Sequence, residues 1–326
     1  MTKIVIDTKG GDKGASAVIK GASMALDAFD QLSVMLVGNG EEIRTACESL
    51  VMPMNRVEIL DAPDEITNYD NPAEAVFRKT NSSMIRALMA LSERDDLFGM
   101  ISTGNTGALL TGAMRHLSKK ERIRPALAAV LPSQGGGFTC LVDTGATIDC
   151  TPPILHHFAK LGTAFMAQTY GLENPRVGLL SNGAESSKGN KLVKETHVLL
   201  AEDDSINFVG NVEGNTALSG CCDVLVCDGF AGNQVLKVTE GTATRIITDI
   251  MKYAHKTQSE EIKRLAGYLM GIYDIGSLGG GVILGVDKPV IKTRGNAGES
   301  AVVNTAHMLL NMSQNKSVYG QNTYSI

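Results

Sequence analysis

A polar loop at Ser181–Asn190 combines residue types that can hold an anion at the start of a helix. The apolar run Val177–Leu180 before it favours a short buried strand, and residues 192–200 after it favour a helix. Free backbone N–H groups at a helix start attract an anion, and the ammonium of Lys188 adds a full positive charge beside them. The alternative is an ordinary strand–helix turn with a solvated lysine. The loop is not a Walker A motif, because Lys188 precedes its glycine and no G-K-[ST] follows.

Four other predicted strand ends carry glycine together with Asp, Asn, Ser or Thr, at Asp7–Asp12, Ser102–Gly107, Asp143–Gly145 and Asp228–Asn233. The carboxyl ends of parallel strands share one edge of a sheet, so these loops are expected to converge there and favour an anion such as phosphate. The alternative is a set of glycine turns, with Asn105 or Thr106 as an N-cap. The predicted substrate-binding residues are Asp7, Gly10, Gly11, Asp12, Ser102, Gly104, Asn105, Thr106, Gly107, Asn190, Asp228 and Gly232.

Composition narrows the class of protein. The 326 residues are 43% hydrophobic and 20% charged, as in a globular protein, and the net charge of −5 argues against a nucleic-acid binder. We expect a cytoplasmic protein, because no run of about 18 apolar residues occurs and the N-terminus does not resemble a signal peptide. The six cysteines form no C-x-x-C and the histidines no H-E-x-x-H, so no zinc site is expected. Neither G-x-S-x-G nor G-x-G-x-x-G occurs.

Strands and helices alternate along the chain, which predicts a three-layer α/β/α sandwich with a mostly parallel sheet. We expect one domain over residues 1–326, with a helical arm at 245–275 whose apolar stripes pack on the body, on a dimer partner or on a membrane. A hairpin is predicted for Ala126–Leu131 and Phe138–Val142, and a single helix for Pro72–Leu91. A strand is expected at Ile206–Val209. After the loop Asp228–Asn233, a helix is expected from Val235 to about Ala254.

The chain resembles the bacterial phosphate acyltransferases of phospholipid synthesis, the PlsX family. Nine segments carry the resemblance, in collinear order over almost the whole chain. They are D-T-K-G-G-D at Asp7–Asp12, R-K-T-N-S-S-M at Arg78–Met84, I-S-T-G-N-T-G-A-L at Ile101–Leu109, R-P-A-L at Arg124–Leu127, D-T-G-A-T-I-D at Asp143–Asp149, R-V-G-L-L at Arg176–Leu180, K-G-N at Lys188–Asn190, N-F-V-G-N-V-E at Asn207–Glu213 and C-D-G-F-A-G-N at Cys227–Asn233.

The resemblance implies that long-chain acyl-[acyl-carrier protein] and orthophosphate react to give acyl phosphate and free carrier protein. It implies Lys188 and Asn233 as the catalytic pair, a fold similar to phosphotransacetylases and isocitrate dehydrogenases, a homodimer, and no metal or other cofactor. It also implies peripheral membrane contact, which some members of the family make, and a downstream glycerol-3-phosphate acyltransferase. The acyl chain is expected between the body and the arm, or at the dimer interface. A basic cluster at Lys119, Lys120, Arg122 and Arg124 is a candidate surface for the acidic carrier protein, with a solvated loop as the alternative.

Three segments depart from the family pattern. Thr8 and Lys9 replace the alanine and methionine of the usual D-A-M-G-G-D. Thr103 replaces the alanine of the usual A-G-N-T-G. Residues 292–297 read K-T-R-G-N-A where the family usually has K-A-H-G-S-S. Three alternatives therefore stay open. One is a phosphotransacetylase-like or glycine-reductase-type enzyme that uses another acyl thioester. Another is a dehydrogenase of the isocitrate type, and the last is a non-catalytic scaffold that recruits lipid enzymes to membrane.

Overall fold

The computed structural model describes residues 1–118, 124–273, 280–293 and 298–314. The chain divides into two compact units. The first unit combines residues 1–125 with 276–326, and the second comprises residues 126–275. The expectation of one domain with an inserted arm stays a prediction.

The described residues form strands and helices in alternation. The strands are β1 (Thr2–Asp7), β2 (Leu32–Gly38), β3 (Val57–Asp61), β4 (Leu97–Ser102), β5 (Ala126–Pro132), β6 (Phe138–Val142), β7 (Arg176–Ser181), β8 (Asn207–Glu213), β9 (Val224–Val226), β10 (Gly281–Leu284) and β11 (Val290–Lys292). The helices are α1 (Gly14–Ala28), α2 (Gly40–Ser49), α3 (Pro72–Arg78), α4 (Ser83–Glu93), α5 (Thr106–Leu117), α6 (Pro152–Tyr170), α7 (Lys191–Ala201), α8 (Gly229–Thr257), α9 (Glu260–Tyr273) and α10 (Glu299–Gln314).

In the first unit, the strand order is β3-β2-β1-β4-β11-β10, and every pair is parallel except β10 with β11. Ile4, Val5 and Ile6 of β1 are all fully buried. Since successive side chains of a strand point to opposite faces, both faces of β1 must be covered. Helices α10 and α4, which belong to two separate helix groups, both contact β1. This unit therefore has a layer of helices on each face of its sheet.

In the second unit, the strand order is β5-β6-β9-β7-β8, and only β5 with β6 is antiparallel. Val224 of β9 packs against Gly162 of α6, where a Cβ would lie 2.5 Å from its Cγ1. The next residue, Leu225, belongs instead to a buried cluster that receives Val235 and Leu236 of α8. Neighbouring β9 side chains thus face α6 and α8 on opposite sides of the sheet. The mostly parallel α/β fold and the predicted hairpin are confirmed.

Two predicted elements of the first unit differ in the structure. The single helix expected over Pro72–Leu91 is two helices, because the chain turns at Thr80 and Asn81 and the Ser83 amide donates to the Asp64 carbonyl at 3.0 Å. Strand β10 was not predicted, since it begins at Gly281, the last of three consecutive glycines in the sequence. None of the helices in the described ranges is both long and apolar enough to cross a membrane.

Two elements of the second unit are longer than predicted. Strand β8 continues to Glu213, where a loop was expected after Val209, because its pairing with β7 extends to Ser181 opposite Glu213. Helix α8 begins at Gly229, six residues before the predicted start at Val235. Most of the expected Asp228–Asn233 loop is therefore the first turn of a helix. Helices α8 and α9 are separated at Gln258, which has a left-handed backbone with φ of 51°.

Candidate functional site

In the first unit, buried Asp7 connects the ends of two parallel strands. The whole residue is only 1% exposed. One carboxylate oxygen accepts from Ser83 Oγ at 2.6 Å and from the Lys9 amide at 3.2 Å, and the other accepts from Ser102 Oγ at 2.7 Å. Burial raises the pKa of Asp7 to about 6, although these hydrogen bonds favour the ionised form. Asp7 thereby fixes the starts of two glycine loops.

The two predicted loops of this unit contact each other through glycines. Gly10 has φ of +83°, and a Cβ there would lie 2.7 Å from the Gly104 Cα. The Gly104 amide donates to Ser102 Oγ at 3.1 Å. A side chain at Gly10 would therefore force the loops apart, and one at Gly104 would lie 2.6 Å from the Met84 Cε. The expected convergence of Asp7–Asp12 with Ser102–Gly107 is confirmed within this unit.

The remaining predicted residues of the first unit lie at helix starts. Asn105 is the N-cap of α5, since its Oδ1 accepts from the Ala108 amide at 3.0 Å, as the alternative interpretation of this loop proposed. Thr106 and Gly107 form the first turn of α5. Gly11 lies in the turn before α1, and Asp12 beside it is exposed.

Lys292 is a further charged group at this edge, and it is not among the site residues predicted from the sequence. It ends β11, next to the end of β4, and its Nζ donates to the carbonyls of Thr103, at 3.2 Å, and Thr293. Burial lowers the pKa of Lys292 to about 8, against the attraction of Asp12 and Asp7. The only sequence signal was its position in the K-T-R-G-N-A segment. Residues 294–297 of that segment lie outside the described residues.

In the second unit, the loop after β7 presents Lys188 to solvent. The Lys188 amide donates to the Glu185 carbonyl at 3.0 Å, and the Gly189 amide donates to Asn182 Oδ1 at 2.9 Å. Asn190 is the N-cap of α7, with its Oδ1 accepting from the Val193 amide at 2.9 Å. The predicted strand–loop–helix arrangement is confirmed, and the backbone around Lys188 is held by internal hydrogen bonds.

The loop after β6 meets the first turn of α8. Asp228 is the N-cap of α8, with its Oδ1 accepting from the Ala231 amide at 2.8 Å. A Cβ at Gly232 would lie 1.9 Å from the Asp143 carbonyl oxygen, so only glycine fits there. Asn233 Nδ2 donates to the Thr144 carbonyl at 3.1 Å. The junctions at Asp143–Gly145 and Asp228–Asn233 are therefore in direct contact.

Asp143 organises that loop from a fully buried position. Its Oδ1 accepts from the amides of Leu127, Gly145 and Ala146 at 2.9, 3.3 and 3.1 Å, and its Oδ2 accepts from the Thr147 amide at 2.6 Å. Burial raises the pKa of Asp143, and the four amides oppose that effect. Its role is to shape the loop that Asn233 contacts.

A cavity of about 320 Å³ opens between the ends of β7 and β9 and the first turns of α7 and α8. Lys188 directly precedes one of its lining residues, and Asn233 follows another by two positions. The lining consists of Leu155, Leu179, Leu180, Ser181, Asn182, Gly189, Asn190, Leu192, Val193, Cys227, Asp228 and Ala231. Asn190 and Asp228 therefore line one mostly apolar opening, and Lys188, Gly232 and Asn233 are close in sequence to its lining residues.

Comparison with known proteins shows relatives along the whole chain. Residues 2–318 match the family described as "Fatty acid synthesis protein". A phosphate acyltransferase from Halothermothrix orenii is 39% identical, covering 98% of this chain and 96% of the relative. A phosphate acyltransferase from Streptococcus pneumoniae is 38% identical, covering 96% of this chain and 95% of the relative.

Solved structures share the fold at much lower identity. A phosphotransacetylase from Streptococcus pyogenes matches with a TM-score of 0.64 and 17% identity, covering 97% of this chain and 94% of that one. This likeness supports the α/β architecture, while the sequence matches assign the family. The chain belongs to the fatty acid synthesis protein family, whose model spans it almost end to end and whose curated relatives share more than a third of its residues.

Proposed function

We propose that this protein is a phosphate acyltransferase, which transfers a long-chain acyl group from acyl-carrier protein to orthophosphate. The observation that carries the proposal is the near full-length match to relatives of that name at up to 39% identity. The product would be an acyl phosphate, which a glycerol-3-phosphate acyltransferase consumes in phospholipid synthesis. No cofactor is required by this chemistry, since phosphate is already a nucleophile and a thioester is an activated acyl group.

The main task of such an enzyme is to position two reactants, which can contribute about 7–11 kcal/mol to lowering the barrier. We assign charge neutralisation to Lys188, whose exposed ammonium lies on the loop beside the cavity. It would stabilise phosphate and the developing oxyanion and protonate the departing thiolate. One N–H of the Asn233 amide is used by the Thr144 carbonyl, and the other is assigned to the thioester carbonyl oxygen.

In the first unit, we propose that the touching loops Asp7–Asp12 and Ser102–Gly107 bind phosphate. The buried hydroxyl of Thr103 has no hydrogen-bond partner among the described residues, and the ammonium of Lys292 lies at the neighbouring carbonyl. A hydroxyl and an ammonium can both donate hydrogen bonds to phosphate oxygens. Thr103 stands where the family usually has alanine, so this hydroxyl would be a feature of this chain.

The decisive experiment measures thiol release from palmitoyl-carrier protein with and without phosphate, and traps acyl phosphate with hydroxylamine. We expect release that requires phosphate and yields palmitoyl hydroxamate. Palmitoyl-coenzyme A is the comparison substrate. A clear preference for coenzyme A would identify a phosphotransacetylase-like enzyme instead, and phosphate binding without any thioester turnover would identify a scaffold.

The proposed partners are carrier protein and a second copy of the chain. Arg124 of the predicted basic cluster is exposed, whereas Lys119, Lys120 and Arg122 lie outside the described residues. Helices α8 and α9 leave Ile246, Tyr253, Leu265, Tyr268 and Met270 exposed, with Tyr268 at 67%. We propose these side chains for the homodimer interface or a peripheral membrane contact. Light scattering and flotation with anionic vesicles distinguish the two.

A further inference from the structure

The cavity of the second unit has an apolar interior below a polar rim. Leu155, Leu179 and Cys227 form its buried floor, with exposures of 1%, 0% and 3%. Leu192, Val193 and Ala231 are half-buried walls at the starts of α7 and α8. At about 320 Å³ the cavity lies at the lower end of the range for small-molecule sites, which is enough for part of a long chain.

The polar groups at this opening do not favour an anion inside it. Asn190 and Asp228 use their Oδ1 atoms to cap α7 and α8, and the Asp228 carboxylate would repel phosphate. Burial also raises the pKa of the Cys227 thiol well above its usual value, so it stays protonated and neutral. The interior therefore offers alkyl and thiol surface, where each buried CH₂ group of a ligand would contribute about 0.8 kcal/mol.

We infer that this cavity binds the alkyl chain of the acyl thioester, with the reacting carbonyl at the rim beside Lys188. The inference rests on the proposed function for the identity of the ligand. It also locates the chain differently from the sequence-based expectation of a channel at the helical arm or the dimer interface. The first carbons would lie at the rim, and carbons further along the chain would contact Leu192 and Val193 and then reach Leu155 and Leu179.

The first test fills the cavity from the wall of α7. Leu192→Trp should lower kcat/KM for palmitoyl-carrier protein at least tenfold while leaving the butyryl thioester within about twofold. Val198→Trp is the matched control, because Val198 lies on the same helix and is 51% exposed away from the cavity lining. The chain contains no Trp, so each variant has one indole. A blue-shifted emission from Leu192→Trp relative to Val198→Trp shows that the indole occupies the cavity.

An equal loss for both acyl lengths, or no loss with a blue-shifted indole, would overturn the inference. The second test needs no turnover and uses palmitoyl-carrier protein with a mid-chain diazirine. Photolysis of the wild-type protein should label residues 179–193 and 227–231, and Leu192→Trp should suppress that labelling. Labels confined to 260–273 would place the chain on the arm and refute the cavity assignment.

The two hypotheses fail in different ways. A protein that is labelled in the cavity but releases no thiol with phosphate would contradict the proposed function and leave the binding site standing. A protein with normal phosphate-dependent turnover, whose labels lie elsewhere, would contradict only the assignment of the cavity.

Discussion

The two units hold their strand-end loops with different hydrogen-bond donors. In the first unit, Asp7 accepts from two serine hydroxyls and one amide. In the second, Asp143 accepts from four backbone amides. Hydroxyl groups can rotate and can also accept, whereas an amide N–H has a fixed direction and only donates. The loops around Asp7 are therefore tied to other elements by adaptable side chains, and the loop around Asp143 has its backbone shape built in.

The lysines of the two units, Lys292 and Lys188, differ in burial and in hydrogen bonding. Lys292 is largely buried against backbone carbonyls, and burial lowers its pKa to about 8. Lys188 is exposed on a loop whose backbone is hydrogen-bonded internally. The ammonium of Lys292 already donates to two backbone carbonyls, whereas the ammonium of Lys188 is exposed and accessible to a ligand. This difference makes Lys188 the better candidate for the chemical step.

The largest effect is expected at Lys188. Lys188→Ala should lower phosphate-dependent turnover on the order of a hundredfold or more, by analogy with the loss of one oxyanion donor. Lys191→Ala is the control, since its side chain is 88% exposed on the first turn of α7. Both variants should unfold at the wild-type denaturant concentration. Near-normal turnover of Lys188→Ala would remove this lysine from the mechanism.

A smaller effect is expected in the pH dependence of stability. The pKa of Asp7 is raised to about 6 in the folded protein from an ordinary 3.8, so the folded state binds more protons than the unfolded state between these values. The contribution of Asp7 to stability should therefore fall as pH rises through this window, by about 2 kcal/mol between pH 4 and 6.5. Asp7→Asn should remove this fall, which urea titrations of both proteins at each pH would measure.

A neighbouring charge, that of Glu65, provides a control variant for the measurement of stability against pH. Glu65 raises the pKa of Asp7 further by repulsion, so Glu65→Gln should reduce the fall with pH but not abolish it. An unchanged pH profile in Asp7→Asn would show that Asp7 does not titrate in this range.

The smallest effect compares the two aspartates directly at pH 7. In Asp143→Asn, the new NH₂ group must face a backbone N–H at either oxygen position, which leaves at least one buried donor without an acceptor. In Asp7→Asn, the NH₂ group can donate to Ser102 Oγ. The free energy of unfolding should therefore fall by about 1–2 kcal/mol more in Asp143→Asn than in Asp7→Asn. Equal losses of unfolding free energy in urea titrations of the two variants would contradict the prediction that the fixed backbone amides make Asp143→Asn more destabilising.

Much of the architecture could be predicted from local patterns, because buried parallel strands have short apolar runs bounded by glycine. The helix boundaries that differ from the prediction depend on contacts between residues that are distant in the sequence. The turn between α3 and α4 follows from Ser83, which bonds to Asp64 and Asp7, and nothing between Pro72 and Leu91 in the sequence indicates those partners. The early start of α8 depends on Gly232, whose contact with the Asp143 carbonyl comes from another strand end.

The candidate site was predictable in part for the same reason. Glycine with Asp or Asn at strand ends identified the contacting loops of each unit, but Asn105, Asn190 and Asp228 also serve as helix caps. The K-T-R-G-N-A segment was the only signal for Lys292, because its importance comes from the hydrogen bond between its ammonium and the Thr103 carbonyl, which is distant in the sequence. The apolar cavity was not predicted either, since its lining comes from four separate segments, at 155, 179–182, 189–193 and 227–231.

The contact between Gly232 and the Asp143 carbonyl has a mechanical consequence. Helix α8 is 29 residues long, and its close approach to the Asp143 carbonyl lies in its first turns. Each degree of rotation of the helix about Gly232 would displace Thr257 by roughly 0.7 Å, given the rise of 1.5 Å per residue. A change in the loop around Asn233 that rotated α8 would therefore move the far end of the helix much more than its start.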